Sequence, residues 1–210
     1  MILNLISKAI LNGDSEGLVE AINQALEEGK SAEDILNKDC IPALTEVGRL
    51  YEVGEFFLPE MLVSARAVQA GLMVLRPYLI DSGIGYVGKV VIGTVKGDLH
   101  DIGKNLVAMM LEGSGFEIID LGVDVPPEKF VEGVEKHQPD LVGMSALLTT
   151  TMPSMELTMK ALRDANLRDQ VKVIVGGAPL TDEFAKEIGA DGFAPDASKA
   201  VGIAKSLLKS

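Results

Sequence analysis

The chain has 210 residues, 47% apolar but only 4% aromatic and without tryptophan, which is enough for one large or two modest domains with an aliphatic core. A formal net charge of −12 lacks the basic footprint that duplex nucleic acid or an anionic membrane surface selects, and argues against both as partners. The single cysteine, Cys40, rules out an internal disulfide, and no Cys/His cluster suggests zinc or an iron–sulfur centre.

The apolar start Met1–Ile6 is broken by Asn4 and then Ser7, and has neither a basic leader nor a cleavage site. It reads as a helix near 2–11 rather than a signal peptide. Leu18, Ala21, Ile22, Ala25 and Leu26 follow the i, i+3, i+4 spacing of one apolar helix face. Gly29 ends that helix and Ser31 caps the next. Pro42 interrupts the helical pattern of 31–52, so a break is expected near Asp39–Ile41. Cys40, among Ile35, Ile41 and Leu44, reads as a buried, inert thiol. Leu58, Met61, Leu62, Ala65, Val68, Leu72 and Leu75 form a longer stripe, with Pro59 suited to its first turn. These segments predict a four- or five-helix bundle over residues 1–84. The long stripe suits a homodimer as well as a core. No uninterrupted apolar run approaches the roughly 18 residues of a membrane span, so a cytoplasmic protein is expected.

Asp81–Gly88 (DSGIGYVG) reads as a Gly-rich linker, and the pattern changes after it. Lys89–Val95, Phe116–Asp120, Leu141–Ser145 and Val171–Val175 are short, β-branched, almost continuously apolar runs, as strands covered on both faces should be. A fifth short strand is expected at Gly192–Ala194. Helical patterns lie at 102–114, 126–137, 152–165, 181–188 and 196–209. Strand–helix alternation over 88–210 predicts an α/β, doubly wound, parallel five-stranded sheet of Rossmann or flavodoxin type. Ligands of such sheets sit at the carboxyl ends of the strands.

After the first strand comes Gly97–Asp98–Leu99–His100–Asp101–Ile102–Gly103, a D-x-H-x-x-G loop. Histidine is the usual imidazole metal ligand, and a carboxylate two residues away can hold its second nitrogen. Taken alone, the loop equally fits a phosphate-binding or structural turn. After the third strand, Ser145, Thr149, Thr150 and Thr151 offer hydroxyls to a polar ligand or to a helix cap. The Met152, Met155, Met159 stripe that follows reads as core. Gly176–Gly177–Ala178–Pro179 after the fourth strand suits passage of a flat or extended ligand, or a plain turn.

Taken together, D-x-H-x-x-G, S-x-L and G-G at three successive strand ends resemble the cobalamin-binding family. That family includes the B12 region of methionine synthase, corrinoid methyl-carrier proteins and cobamide-dependent mutases. GTVKGDLHDIGKNLV at Gly93–Val107 and GADGFAPDA at Gly189–Ala197 look like the methyl-carrier branch. YEVGEFFLPE at Tyr51–Glu60 and SARAV at Ser64–Val68 resemble its helical cap, so the likeness spans essentially the whole chain.

The resemblance implies a cobamide bound base-off, with His100 as the lower axial ligand of cobalt. It implies that Asp98 accepts a hydrogen bond from the other ring nitrogen, and that Thr151 stands where methionine synthase has a serine completing the relay. Ser145, Leu147 and Thr149 would flank the nucleotide tail, with Gly176, Gly177 and Ala178 opposite, because a Cβ there would block the tail's path. Ile102, Gly103, Phe193, Pro195 and Asp196 would contribute walls, Gly97 would belong to the cofactor-binding loop, and Asp101 and Lys104 would make peripheral contacts. Phe57, Leu58, Met61 and Leu62 would cover the upper face. The second histidine, His137, lies in a charged helix end and reads as solvent-exposed.

What the resemblance implies is a carrier rather than a complete enzyme. A substrate-specific methyltransferase would load a methyl group from a small donor such as methanol, a methylamine, a betaine or a methoxylated aromatic. A second methyltransferase would pass it to tetrahydrofolate or coenzyme M, and a corrinoid reductive activator would support the cycle. Two other cobamide roles share the α/β unit. A mutase subunit needs a substrate barrel, and a cobamide-dependent regulator adds a DNA-binding or signalling module; the helical start and the −12 charge favour neither.

Overall fold

The computed structural model describes residues 5–81 and 86–209. Residues 2–4 of the expected first helix and 82–85 of the expected linker lie outside that set. Two compact units form, one within residues 1–87 together with 112–115, the other from 88–111 and 116–210.

The first unit is helical throughout: α1 (Leu5–Asn12), α2 (Ser15–Glu27), the single turn α3 (Ala32–Asp34), a π-helical segment (Ile35–Cys40), α4 (Ile41–Glu52) and α5 (Leu58–Asp81). Asp14 caps α2 by accepting from Gly17 N, and Ser31 caps α3 by accepting from Asp34 N. Gly29, at φ +87°, turns the chain after α2 as only glycine does cheaply. The apolar stripes face inward: Leu18, Ile22 and Ala25 of α2 and Met61, Ala65, Val68 and Leu75 of α5 are buried.

The break expected at Asp39–Ile41 is absent. The chain passes through Pro42 by widening the preceding turn, so that Ile41 N–H donates to Leu36 O. A π turn lengthens the local hydrogen-bonded ring and gives the proline room where a regular helix would clash with it. Cys40 sits in this turn, 1% exposed.

The sequence showed no uninterrupted apolar run of membrane-spanning length, yet Leu58–Leu79 averages a hydropathy of 1.3 and is long and apolar enough to cross a membrane on length and composition alone. Its packing against α1, α2 and α4 makes it the core helix of the bundle.

The second unit is a five-stranded parallel sheet in the order β2-β1-β3-β4-β5, with β1 Lys89–Thr94, β2 Glu117–Asp120, β3 Leu141–Ser145, β4 Lys172–Gly176 and β5 Gly192–Ala194. Five helices follow the strands: α6 (Ile102–Gly113), α7 (Pro127–His137), α8 (Pro153–Asp164), α9 (Asp182–Ile188) and α10 (Ala197–Leu207). Residues alternate across the sheet. Val91, Val142 and Val173 pack with Phe130, Met155, Met159 and Ile188 on one face. Val90, Ile92 and Leu141 pack with Leu111 and Ala204 on the other. The methionine stripe of α8 is therefore core. The helix after β1 lies on the opposite face from the helix after β3, which opens a crevice between the ends of these neighbouring strands. His137, expected in solvent, is half-buried in the last turn of α7, and its carbonyl accepts from Lys89 Nζ at 3.2 Å.

Candidate functional site

Beyond β1 the chain turns at Gly97, whose φ of +86° favours glycine. Asp98 follows, fully buried, and both oxygens of its carboxylate accept hydrogen bonds. His100 N–H and His100 Nδ1 approach Oδ1 at 3.0 and 2.7 Å. Leu147 N–H, Leu148 N–H and the Thr151 hydroxyl donate to Oδ2 at 2.7, 3.3 and 2.7 Å. Burial pushes the carboxyl up, but the hydrogen bonds from Thr151, Leu147 and His100 outweigh it and hold Asp98 well below the usual carboxylate range.

An ionised carboxylate only accepts, so Nδ1 is the nitrogen that donates to Asp98, which leaves Nε2 as the nitrogen available to a metal. The His100 side chain is half-exposed. Its backbone is tied down as well: the buried Thr94 hydroxyl donates to His100 O at 2.9 Å. In this loop and in the loop that donates to Asp98, Leu99, Ile102, Leu147 and Leu148 are all exposed, Leu99 at 71%. A Cβ at Gly103 would meet open space. An apolar rim around a half-exposed imidazole is a surface made for a ligand.

The extra methyl of Thr151, relative to a serine, is accommodated by its neighbour. Its Cγ2 lies 3.6 Å from where a Gly97 Cβ would stand, an ordinary contact. Ser145 ends β3, paired with Thr94 on one side and Gly176 on the other, which brings the three strand-end loops side by side. Thr149 and Ala178 are exposed.

The glycine pair has a requirement of its own within the fold. At Gly177, with φ +138°, a Cβ would lie 1.8 Å from Ala146 O, and at Gly176 it would lie 2.9 Å from Ala194 O. Neighbouring backbone, rather than a ligand path alone, requires these glycines. Asp196 caps α10 by accepting from Lys199 N at 2.8 Å, and Phe193 packs against the sheet core, so both have structural duties. Pro195 is exposed. Asp101 accepts from Asn105 Nδ2 at 3.1 Å at the start of α6, and the buried Lys104 pairs with Asp120. Phe57 and Met61 belong to the helical unit, where Phe57 is exposed and Met61 is completely buried.

Sequence reading missed Leu148, Thr94, Leu99 and Asp124. Thr94 and Leu148 act through distances that no local pattern encodes. The exposed Leu99, inside the D-x-H-x-x-G loop, was the one legible signal: an apolar side chain in a polar turn.

Fold and site together define a protein built to take a ligand at the carboxyl ends of β1 and β3. Two matches to the B12 binding domain cover residues 88–202 and 2–76. A corrinoid protein of Desulfitobacterium hafniense is 39% identical over 99% of this chain and 97% of its own. The trimethylamine corrinoid protein of Methanosarcina barkeri is 41% identical over 96% of this chain and 94% of its own. A chain in the crystal structure of the methanol:cobalamin methyltransferase complex of Methanosarcina barkeri superposes with a TM-score of 0.85 at 31% identity, over 99% of this chain and 80% of that one. The chain belongs to the B12-binding family, in its branch of methyl-carrying corrinoid proteins, and its cofactor is a cobamide. The residues present suit that group: one imidazole with an open nitrogen, an apolar rim, and free space at Gly103.

Proposed function

We propose that the chain holds its cobamide base-off through His100 Nε2 and carries a methyl group between two methyltransferases. The observation that carries this reading is the commitment of His100 Nδ1 to the buried Asp98 carboxylate at 2.7 Å in a side chain that is half-exposed. A carboxylate on the far nitrogen orients a metal-binding imidazole and strengthens it as a donor. When bound, the cobamide supplies a cobalt that accepts a methyl group and gives it up.

The chain's own residues do the rest. His100 would hold the metal, Asp98 fixes which ring nitrogen carries the shared proton, and Thr151 with Leu147 N–H fixes Asp98. Ser145, Leu147 and Thr149 line one side of the nucleotide tail, with Gly176, Gly177 and Ala178 opposite. Ile102, Gly103, Phe193, Pro195 and Asp196 contribute walls, Gly97 belongs to the cofactor-binding loop, Asp101 and Lys104 make peripheral contacts, and Phe57 and Met61 belong to the cover over the upper face.

One partner is a substrate-specific methyltransferase; the likeness to a chain of a methanol:cobalamin methyltransferase complex supports this. The donor is a small methylated compound of the methylamine or methanol class, in keeping with the names of the relatives. A second methyltransferase acts on tetrahydrofolate or coenzyme M. A reductive activator, a cytoplasmic setting, a homodimer, and a division into a helical domain (1–84) and a cobamide-binding domain (88–210) complete the reading.

The test is electron paramagnetic resonance of the reconstituted cobalt(II) protein with and without ¹⁵N-histidine. A superhyperfine triplet that becomes a doublet on labelling supports a protein histidine as ligand. An unaltered pattern rejects it.

A further inference from the structure

The loop between β2 and α7, residues 121–126, engages the His100 loop from the side opposite β3. Thr94 N–H donates to Gly122 O at 3.0 Å and Val125 N–H donates to Thr94 O at 2.9 Å. These two contacts, with the Val95–Val125 bridge, simply prolong the strand pairing. Asp124 makes two further bonds by itself. Its Oδ1 accepts from Gly97 N–H at 2.7 Å, and its own N–H donates to Asp98 O at 2.9 Å. It thereby grips both ends of the Gly97–Asp98 segment.

Asp124 does this from φ +53°, a left-handed conformation uncommon outside glycine and favoured next by Asn and Asp. Among the described residues, two other non-glycine residues have positive φ. Gln138 caps the carboxyl end of α7, and Asn166 follows the end of α8. Asp124 terminates no helix, so helix capping does not account for its conformation. Such outliers gather where local geometry serves a site.

We infer that Asp124 is a positioning residue for His100: by clasping Gly97 and Asp98 it sets the direction in which Asp98 Oδ1 meets His100 Nδ1. Its hydrogen bonds go to Gly97 and to the Asp98 carbonyl, and it acts through the segment it holds. The inference rests on His100 being the cobalt ligand.

The experiment reconstitutes the full chain with cobalamin, labels it with ¹⁵N-histidine, and reads the ratio of histidine-ligated to unligated cobalt(II) by electron paramagnetic resonance. Asp124→Asn keeps both an acceptor oxygen and tolerance of the left-handed region, and should match the unaltered protein. Asp124→Ala and Asp124→Gly should lower the ratio by about tenfold, the worth of one charge-assisted hydrogen bond. Glycine adopts the left-handed conformation without strain, so a loss there assigns the effect to the carboxylate. It also carries the test if the alanine variant fails to fold.

Melting of the cobamide-free chains separates the roles. A lower melting temperature with an unchanged ratio makes Asp124 an ordinary turn residue and overturns the inference, as does a glycine variant with an unaltered ratio. If the unaltered protein shows no histidine coupling at all, both this inference and the His100 assignment fall.

Discussion

The Thr151 hydroxyl has one proton and two acceptors, Asp98 Oδ2 at 2.7 Å and Leu148 O at 2.9 Å. The ionised carboxylate is the stronger acceptor and takes it. Thr151→Val keeps the shape and removes the donor, leaving a buried carboxylate short of a partner. It should cost about 1–3 kcal/mol by urea denaturation, whereas Thr151→Ser should stay near the original stability. His100→Ala also takes a donor from Asp98, but from a half-exposed side chain whose place water can fill, so it should cost about 1 kcal/mol and should sharply lower the cobalamin retained after gel filtration. Gly177→Ala meets Ala146 O head-on in a backbone region closed to alanine, and should destabilise the chain by about 3 kcal/mol or more.

At the scale of elements, the π turn at Ile35–Cys40 buries a thiol that the burial itself pushes up to about 12, with the neighbouring Asp39 carboxylate adding to the effect. Cys40 should therefore resist iodoacetamide at pH 8 in the folded protein and react at once in denaturant; fast labelling of the native chain would contradict the structure. Arg168 binds Val171 O, Gly189 O and Asp191, so one guanidinium ties the starts of β4 and β5 together. Arg168→Ala should cost about 2 kcal/mol, and Arg168→Lys should not restore it, because an ammonium cannot reproduce the planar fork.

These elements also mark what could be read in advance. Strands such as Lys89–Thr94 were legible because both faces are covered and the run Val90, Val91, Ile92 is continuously apolar. Asp98 and His100 were legible because two residues in one loop suffice to place them. The π turn was not, because a proline in a helical pattern has two outcomes and tertiary packing chooses between them. The reason for Gly177 was hidden too, since it depends on a carbonyl thirty-one positions earlier in the chain, Ala146 O. Asp124 lay outside the recognised motifs, and its role depends on β2 lying beside β1.

For the whole molecule, a ligand that binds only the folded chain adds stability by mass action. Cobalamin at a hundredfold excess over its dissociation constant should add roughly 2.7 kcal/mol. The gain should shrink in His100→Ala, and a thermal melt with and without cofactor reads both effects.

The carboxylate of Asp98 gathers donors from residues 100, 147, 148 and 151, up to 53 positions away in sequence. No fragment that stops before β3 can assemble this cluster, and no misregistered sheet can imitate it. The ligand geometry at His100 is therefore a readout of tertiary structure: it exists only where β1 and β3 lie side by side in the register that pairs Thr94 with Ser145.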